Sequence, residues 1–403
     1  MRTRREFLNA SVLGTAVLNS AAVSQQADKP APAEAGKKIR LGVVGGGFGA
    51  TFHWHEHPRC EVAAVTDLYP VRRKALRDAY RCDYVYESME EMLKRAQGLD
   101  AVAVFSGAPD HFKHTQICLQ RGLHVVCAVP ACFTLEEAQQ LKELKEKTGL
   151  KYMMAESSYY RTGCIYARDL FRDGGFGELF YSELEYYHDF PPAALLARKT
   201  SLWYNPDGSK SWRQGLPPMF YPTHSLGYIT GVTGERMTSV SCLGWTTDHP
   251  LYKSKDNRYR NPFSNQFAQM ETNRGHMVRC NVFWNVVAGG EQARWFGEKG
   301  TLYMSLAGIY PDTWAARGKK PQPLEFPEYW KSDMLPAPMR HASGHGGSAV
   351  FISAEFINAL LENREPAIDI YESLAMTVPG IVAHQSALKR GERMSVPQFD
   401  KSV

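Results

Sequence analysis

The fold turns on "IRLGVVGGGFGA", residues 39–50. Ile39 to Val44 reads as a buried strand, and Gly45-x-Gly47-x-x-Ala50 fits a dinucleotide-binding turn with alanine as its third small residue. Gly45 permits the tight turn. Gly47, followed by Phe48 and Gly49, lets a pyrophosphate approach the backbone, and Ala50 lets the next segment pack close to the strand. A helix is expected to open there, its N–H groups favouring phosphate charge.

The flanking chain strengthens that reading. A second strand, "EVAAVT", ends at Asp67, about 20 residues past the turn, where a carboxylate binds ribose hydroxyls. That charge repels a 2′-phosphate and Leu68 follows it, so NAD is expected over NADP. Next come a helix near Val71 to Tyr80, strand "CDYVY", helix "SMEEMLKRAQ" and strand "DAVAVF". A helix ending at Gly122, strand "HVVC", a helix from Thr134 and strand "KYMMAE" complete the series. Repeated strand–helix units predict a doubly wound parallel sheet over residues 37–155. Ser106 to Pro109 and Ala128-Val129-Pro130 then follow strand ends, where such sheets bind ligands.

Beyond Glu156 the pattern changes. "ELFYSELEYYHDF", "RMTSVSCLGW", "HMVRCNVFWNVV" and "EQARWFGEKGTLYMS" alternate like strands of an open, mostly antiparallel sheet. Helices return at "GGSAVFISAEFINALLEN" and "IYESLAMTVPGIVAHQSALKRG", so residues 156–403 are expected to form an α+β domain. A long loop follows the first of these strands, and long loops within compact domains are often functional. Its Trp203, Tyr204, Trp212 and Tyr221 offer flat faces to a sugar's C–H surfaces, and Arg213 and Asp189 offer hydrogen bonds to hydroxyls.

Bulk properties narrow the classes. The 403 residues suffice for two domains, and a net charge of +5 without a long basic run argues against nucleic acid. The N-terminus, "TRREFLNASVLGTAVLNSAAVSQQA", carries Arg4-Arg5 before a modestly apolar run, then a Pro/Ala linker to residue 36. It has the form of a twin-arginine export signal and not of a spanning helix, predicting a periplasmic or extracytoplasmic protein. The eight cysteines include no Cys-x-x-Cys pair, and pairing of one or two bridges is left open. In "HWHEHP" only His53 and His57 would share a helical face and no partner motif follows, so no metal is expected.

Read in order, "IRLGVVGGGFGA", "VAAVTD", "HVVCAVP", "LEEA", "GHGG" and "DIYESLAMTVPGI" resemble the glucose–fructose oxidoreductase, inositol dehydrogenase and MocA (Gfo/Idh/MocA) family. The resemblance covers nearly all of residues 37–403. It implies an NAD(P)-binding Rossmann domain, a C-terminal substrate and oligomerisation domain, a homo-oligomer, and hydride transfer at a sugar or polyol hydroxyl. Ordinary dehydrogenases of the family carry Glu-Lys-Pro after the fifth strand, and the lysine helps move the hydroxyl proton. Here Ala128 and Val129 replace both ionisable residues while Pro130 remains. The family's later Asp-x-x-x-His is met by Phe220 and His224, so two of three proton-handling groups are absent.

The chain also resembles the NAD-dependent glycosidases typified by α-N-acetylgalactosaminidase, through Tyr221-Pro222-Thr223-His224-Ser225-Leu226-Gly227. That resemblance places Glu156, Tyr160, Arg161, Tyr186, His188 and Asp189 around a sugar, joined by Trp212 and Arg213 from the loop. It gives His224 and Tyr221 the catalytic roles, and their three-residue spacing would put both on one helical face. The cofactor would lie against Gly45, Gly47, Phe48, Gly49, Asp67, Ser106, Pro109, Val129 and Pro130. A tightly held NAD, reduced and reoxidised within one turnover, suits an exported enzyme that has no pool to exchange with. Simple sugar or polyol dehydrogenation and a catalytically silent sugar-binding relative are the alternatives.

Overall fold

The computed structural model describes residues 36–188, 202–249, 257–287, 289–304 and 325–401, with the backbone of 314–316. Asp189 and the Arg4-Arg5 signal lie outside the described residues. The first sheet contains β1 (Ile39–Val44), β2 (Cys60–Thr66), β3 (Val85–Tyr86), β4 (Ala101–Val104), β5 (His124–Cys127) and β6 (Tyr152–Met154). All pairs are parallel, in the order β3-β2-β1-β4-β5-β6. That is the doubly wound order, with its ligand crevice beyond the carboxyl ends where the order reverses at β1 and β4. Helices cover both faces, so the strands need apolar side chains throughout, and every residue of β4 is buried. Thr134 caps the helix Leu135–Thr148 by accepting from the Glu137 N–H at 3.1 Å, and Gly149 closes it at φ 65°.

The second sheet contains β7 (Leu179–Tyr187), β8 (Met237–Trp245), β9 (Asn265–Thr272), β10 (Met277–Phe283), β11 (Gly290–Gly297), β12 (Gly300–Met304), β13 (Trp314–Ala316) and β14 (Met394–Ser395). Its order is β13-β12-β11-β7-β10-β9-β8-β14, and only β7 and β10 run parallel. The helix Thr223–Thr233 lies on β7, β10 and β11. The helix Ile370–Leu388 packs on β8 and β9 but also on β6, and Ser348–Leu361 reaches β1. One contiguous buried cluster therefore runs through both sheets.

The glycine turn departs from expectation. No α-helix opens at its end: a three-residue 3-10 turn, Gly49–Thr51, and a second, Trp54–Glu56, stand there instead. Burial explains the break, because Phe52 stacks on Phe105 at 4.5 Å and on Trp54 at 5.4 Å, drawing the chain into the core. A phosphate there meets turn N–H groups and no long helix end, and "HWHEHP" forms no helical face. β9 also escapes the sequence reading. Its buried positions are Gln266, Ala268, Met270 and Thr272, weak strand formers on the whole, and pairing with β8 and β10 on either side decides its state. The single run expected over "EQARWFGEKGTLYMS" is two antiparallel strands, β11 and β12, separated by Glu298-Lys299. All eight cysteines are buried free thiols, and burial pushes Cys60, Cys118, Cys127 and Cys280 up to about 12. No helix among the described residues is long and apolar enough to cross a membrane.

Candidate active site

The cofactor edge is built from loops that leave β1, β2, β4 and β5. A Cβ on Gly45 would come within 2.1 Å of the Phe105 carbonyl oxygen, and the residue has φ +97°, so only glycine suits this turn. A Cβ on Gly47 would meet nothing nearer than the Arg72 side chain at 3.5 Å, which leaves the exposed side of the turn open to a ligand. Gly49 packs against Phe105 and Val43. Asp67 accepts from the Gly46 N–H at 2.7 Å and the Tyr69 N–H at 2.8 Å, so it braces the turn. Two bonds leave lone pairs on its oxygens for ribose hydroxyls. The residues present thus fit a dinucleotide.

His111, which sequence reasoning passed over, ties two of these loops together. Its Nδ1 lies 2.8 Å from the Pro130 carbonyl and its Nε2 3.1 Å from the Ser106 carbonyl. Burial pushes it down to about 4, so the ring stays neutral and donates to one of the two carbonyls at a time. Ser106 Oγ also contacts His114 Nδ1 at 2.8 Å, and Pro109 opens the 3-10 turn Ala108–Asp110. The Val129–Pro130 peptide is cis, and both residues are buried.

Glu156 stands just past β6, at the carboxyl edge of the same sheet. Its Oε1 accepts from the Ser158 N–H at 2.8 Å and lies 2.7 Å from His224 Nδ1. The carboxylate is wholly buried and the imidazole nearly so, at 0% and 13% side-chain exposure. Burial opposes charge on His224, but the Glu156 carboxylate more than offsets this and holds the imidazolium above its ordinary value. The same contact holds Glu156 low against its own burial. In the neutral ring Nδ1–H donates to Glu156, which leaves Nε2 as the basic nitrogen.

Aromatic rings surround the imidazole. Tyr186 lies 4.6 Å from His224 and Tyr221 5.3 Å, centroid to centroid. Tyr221 is not on the helix with His224, contrary to the expectation from spacing. It ends the 3-10 turn Pro218–Phe220, because the helix begins only at Thr223. Arg213 lies over both Trp212 and Tyr221, with Nη2 3.4 Å from the Tyr221 hydroxyl. A Cβ on Gly107 would sit 2.8 Å from the Trp212 ring, so this tryptophan closes directly on the β4 loop. His188 reaches the same wall through Tyr186 and Trp284.

Two residues expected to line the sugar are engaged elsewhere. Arg161 forms a two-pronged contact with Glu291, Nε at 3.1 Å and Nη2 at 2.7 Å. Tyr228 donates to the same carboxylate at 2.7 Å. Burial disfavours ionised Glu291, but Arg161 holds it low. Tyr160 stacks on Phe351 at 5.9 Å and 3° and packs edge-on to Tyr159, within the core. Glu291 and Trp284 were not legible as site residues, since each sits in an ordinary strand context. His345, inside the "GHGG" segment, carried no site signal of its own. Its ring lies 4.8 Å from Phe48 of the glycine turn, its backbone has φ 56°, and burial pushes it down to about 4.

Comparison with known proteins bears on the two halves of the chain. Residues 39–156 match the family model described as "Oxidoreductase family, NAD-binding Rossmann fold", and residues 275–403 match "Glycosyl hydrolase 109, C-terminal domain". The nucleotide half thus matches the Gfo/Idh/MocA oxidoreductase model, and the C-terminal part matches a glycosyl hydrolase model. The chain is 23% identical to a glycosyl hydrolase family 109 protein of Stenotrophomonas maltophilia, over 98% of this chain and 95% of that one. A family 109 protein of Streptomyces coelicolor is 24% identical over 92% of this chain and 85% of its own. Among solved structures, an inositol dehydrogenase homolog from Azotobacter vinelandii, complexed with NADH and myo-inositol, aligns at TM-score 0.67 and 22% identity. The alignment covers 89% of this chain and 98% of that one. The scyllo-inositol dehydrogenase of Lactobacillus casei aligns at TM-score 0.66 and 17% identity, with the same coverage. The nucleotide half is an NAD-binding Rossmann fold.

Proposed function

We propose that the protein oxidises a ring hydroxyl of a sugar or glycoside with tightly bound NAD, and completes glycoside cleavage by restoring the cofactor in the same turnover. The observation that carries this reading is the 2.7 Å contact between His224 and Glu156. It supplies a carboxylate-backed base at the crevice where Val129 leaves no lysine. When bound, NAD supplies a reversible hydride acceptor. His224 Nε2 takes the hydroxyl proton and gives it up to solvent. Neutral again, it takes the acidified C–H proton beside the new carbonyl as the aglycone leaves, and water then adds to the double bond. Tyr221, flanked by Arg213, donates to the developing oxyanion. Trp212, packed on Gly107, walls one side of the crevice.

Asp67 supports NAD over NADP, although Arg72 and Arg73 bring positive charge to the same corner. Arg4-Arg5 and the apolar run after them support twin-arginine export to the periplasm. Self-association through the outer face of the eight-stranded sheet, where Tyr181, Arg294 and Phe296 lie, completes the reading.

The test begins with denatured, natively purified protein, which should release one NAD per chain. Turnover of a glycoside panel in heavy water should place deuterium on the carbon beside the oxidised one. Product without deuterium after many turnovers excludes elimination, and net NADH accumulation with a free sugar would make the enzyme a simple dehydrogenase. His224→Ala should lower turnover by orders of magnitude with NAD retained.

A further inference from the structure

Two imidazoles meet one carboxylate where the nucleotide half touches the C-terminal segment. His53 and Glu56 belong to the 3-10 stretch behind the glycine turn, and His341 arrives from 285 residues away, just before the turn that carries His345. His53 Nδ1 lies 2.9 Å from Glu56 Oε1, and His341 Nε2 lies 2.6 Å from Glu56 Oε2. All three donor atoms fall within 4.8 Å of one another. The side chains are partly sheltered, at 20%, 25% and 38% exposure for His53, Glu56 and His341.

The outer nitrogen of His341 supplies an independent indication. Nδ1 lies 3.0 Å from the Ala342 carbonyl, a partner that accepts only, so the ring hydrogen of a neutral imidazole belongs there. Nε2 faces the Glu56 carboxylate, where either a proton or a metal ion can sit between nitrogen and oxygen. Metal-binding histidines are held this way, the far N–H given to a carbonyl and the near nitrogen to the ion. Zinc bonds of about 2.0–2.2 Å place tetrahedral donors roughly 3.3 Å apart, so only small side-chain rotations separate this trio from a coordination shell. His55 is exposed, and His57 is engaged with Asn358 at 3.1 Å, so neither competes for the place.

We propose that His53, Glu56 and His341 form a binding site for a divalent transition metal of the zinc class, with water as fourth ligand. The ion would strap the segment after the glycine turn to the one leading into His345. Its role is structural, outside the proton chemistry of His224.

The NAD-loaded full-length protein, cleared of metal with EDTA, is titrated calorimetrically with zinc chloride. One zinc per chain is expected, with affinity at least about tenfold weaker in His341→Ala and Glu56→Gln. Both variants should keep their NAD, which shows that they fold. Cobalt chloride on the wild type gives a readout that needs no variant: intense tetrahedral d–d bands are expected. No stoichiometric zinc, zinc binding unchanged in both variants, or only the weak spectrum of hydrated cobalt overturns the site and leaves a hydrogen-bonded trio.

Discussion

His224 must be neutral to accept a proton, yet Glu156 at 2.7 Å stabilises its charged form. The acid limb of kcat/KM should therefore lie above the ordinary histidine value of about 6.5, with activity rising as pH passes through it. Glu156→Gln removes the nearest anion and leaves burial and the Arg161 charge opposed only by Glu291, so the limb should move to lower pH. His224→Ala should lower kcat by about 10²–10⁴-fold. A pH–rate series on the three proteins checks both. Glu291→Gln should destabilise by about 3–5 kcal/mol in urea unfolding, because it strands the Arg161 guanidinium in a buried site. The histidine was legible from its Tyr-Pro-Thr-His segment. Its partnership was not: Glu156 stands 68 residues away, and only folding shows that it orients a base where sugar contact was expected. The partner of Arg161 was hidden for a similar reason, since its counter-ion lies 130 residues on, in a strand with no motif.

Among the connecting elements, the turn leaving β1 is the most sensitive to a single methyl group. Gly45→Ala faces both a left-handed backbone, costing about 1–3 kcal/mol, and overlap with the Phe105 carbonyl. The purified variant should carry little NAD and melt earlier. Gly107→Ala should act differently. Its Cβ meets a side chain, the Trp212 ring, so turnover should fall through a displaced aromatic wall while bound NAD persists, as single-turnover kinetics and NAD content can separate. Strand–helix alternation made the first sheet legible almost element by element, because buried parallel strands need unbroken apolar runs. The missing helix after Ala50 and the unnoticed β9 share a different cause. Tertiary demands, burial of Phe52 and Trp54 in one case and two-sided pairing in the other, outweighed local pattern.

At the level of the whole molecule, the outer face of the second sheet pairs Arg279 and Arg294 with Glu183 across three strands, beside partly exposed Tyr181 and Phe296. Light scattering should give a mass that is a multiple of the single chain's, and Tyr181→Lys with Phe296→Lys should reduce it to one chain without loss of NAD. The contact between Glu156 and His224 has a consequence for inheritance as well. One residue trails the last strand of the first sheet, and the other opens a helix laid on the second. A chimera that takes its first sheet from a protein without a glutamate at this place keeps the imidazole but loses the carboxylate that orients it.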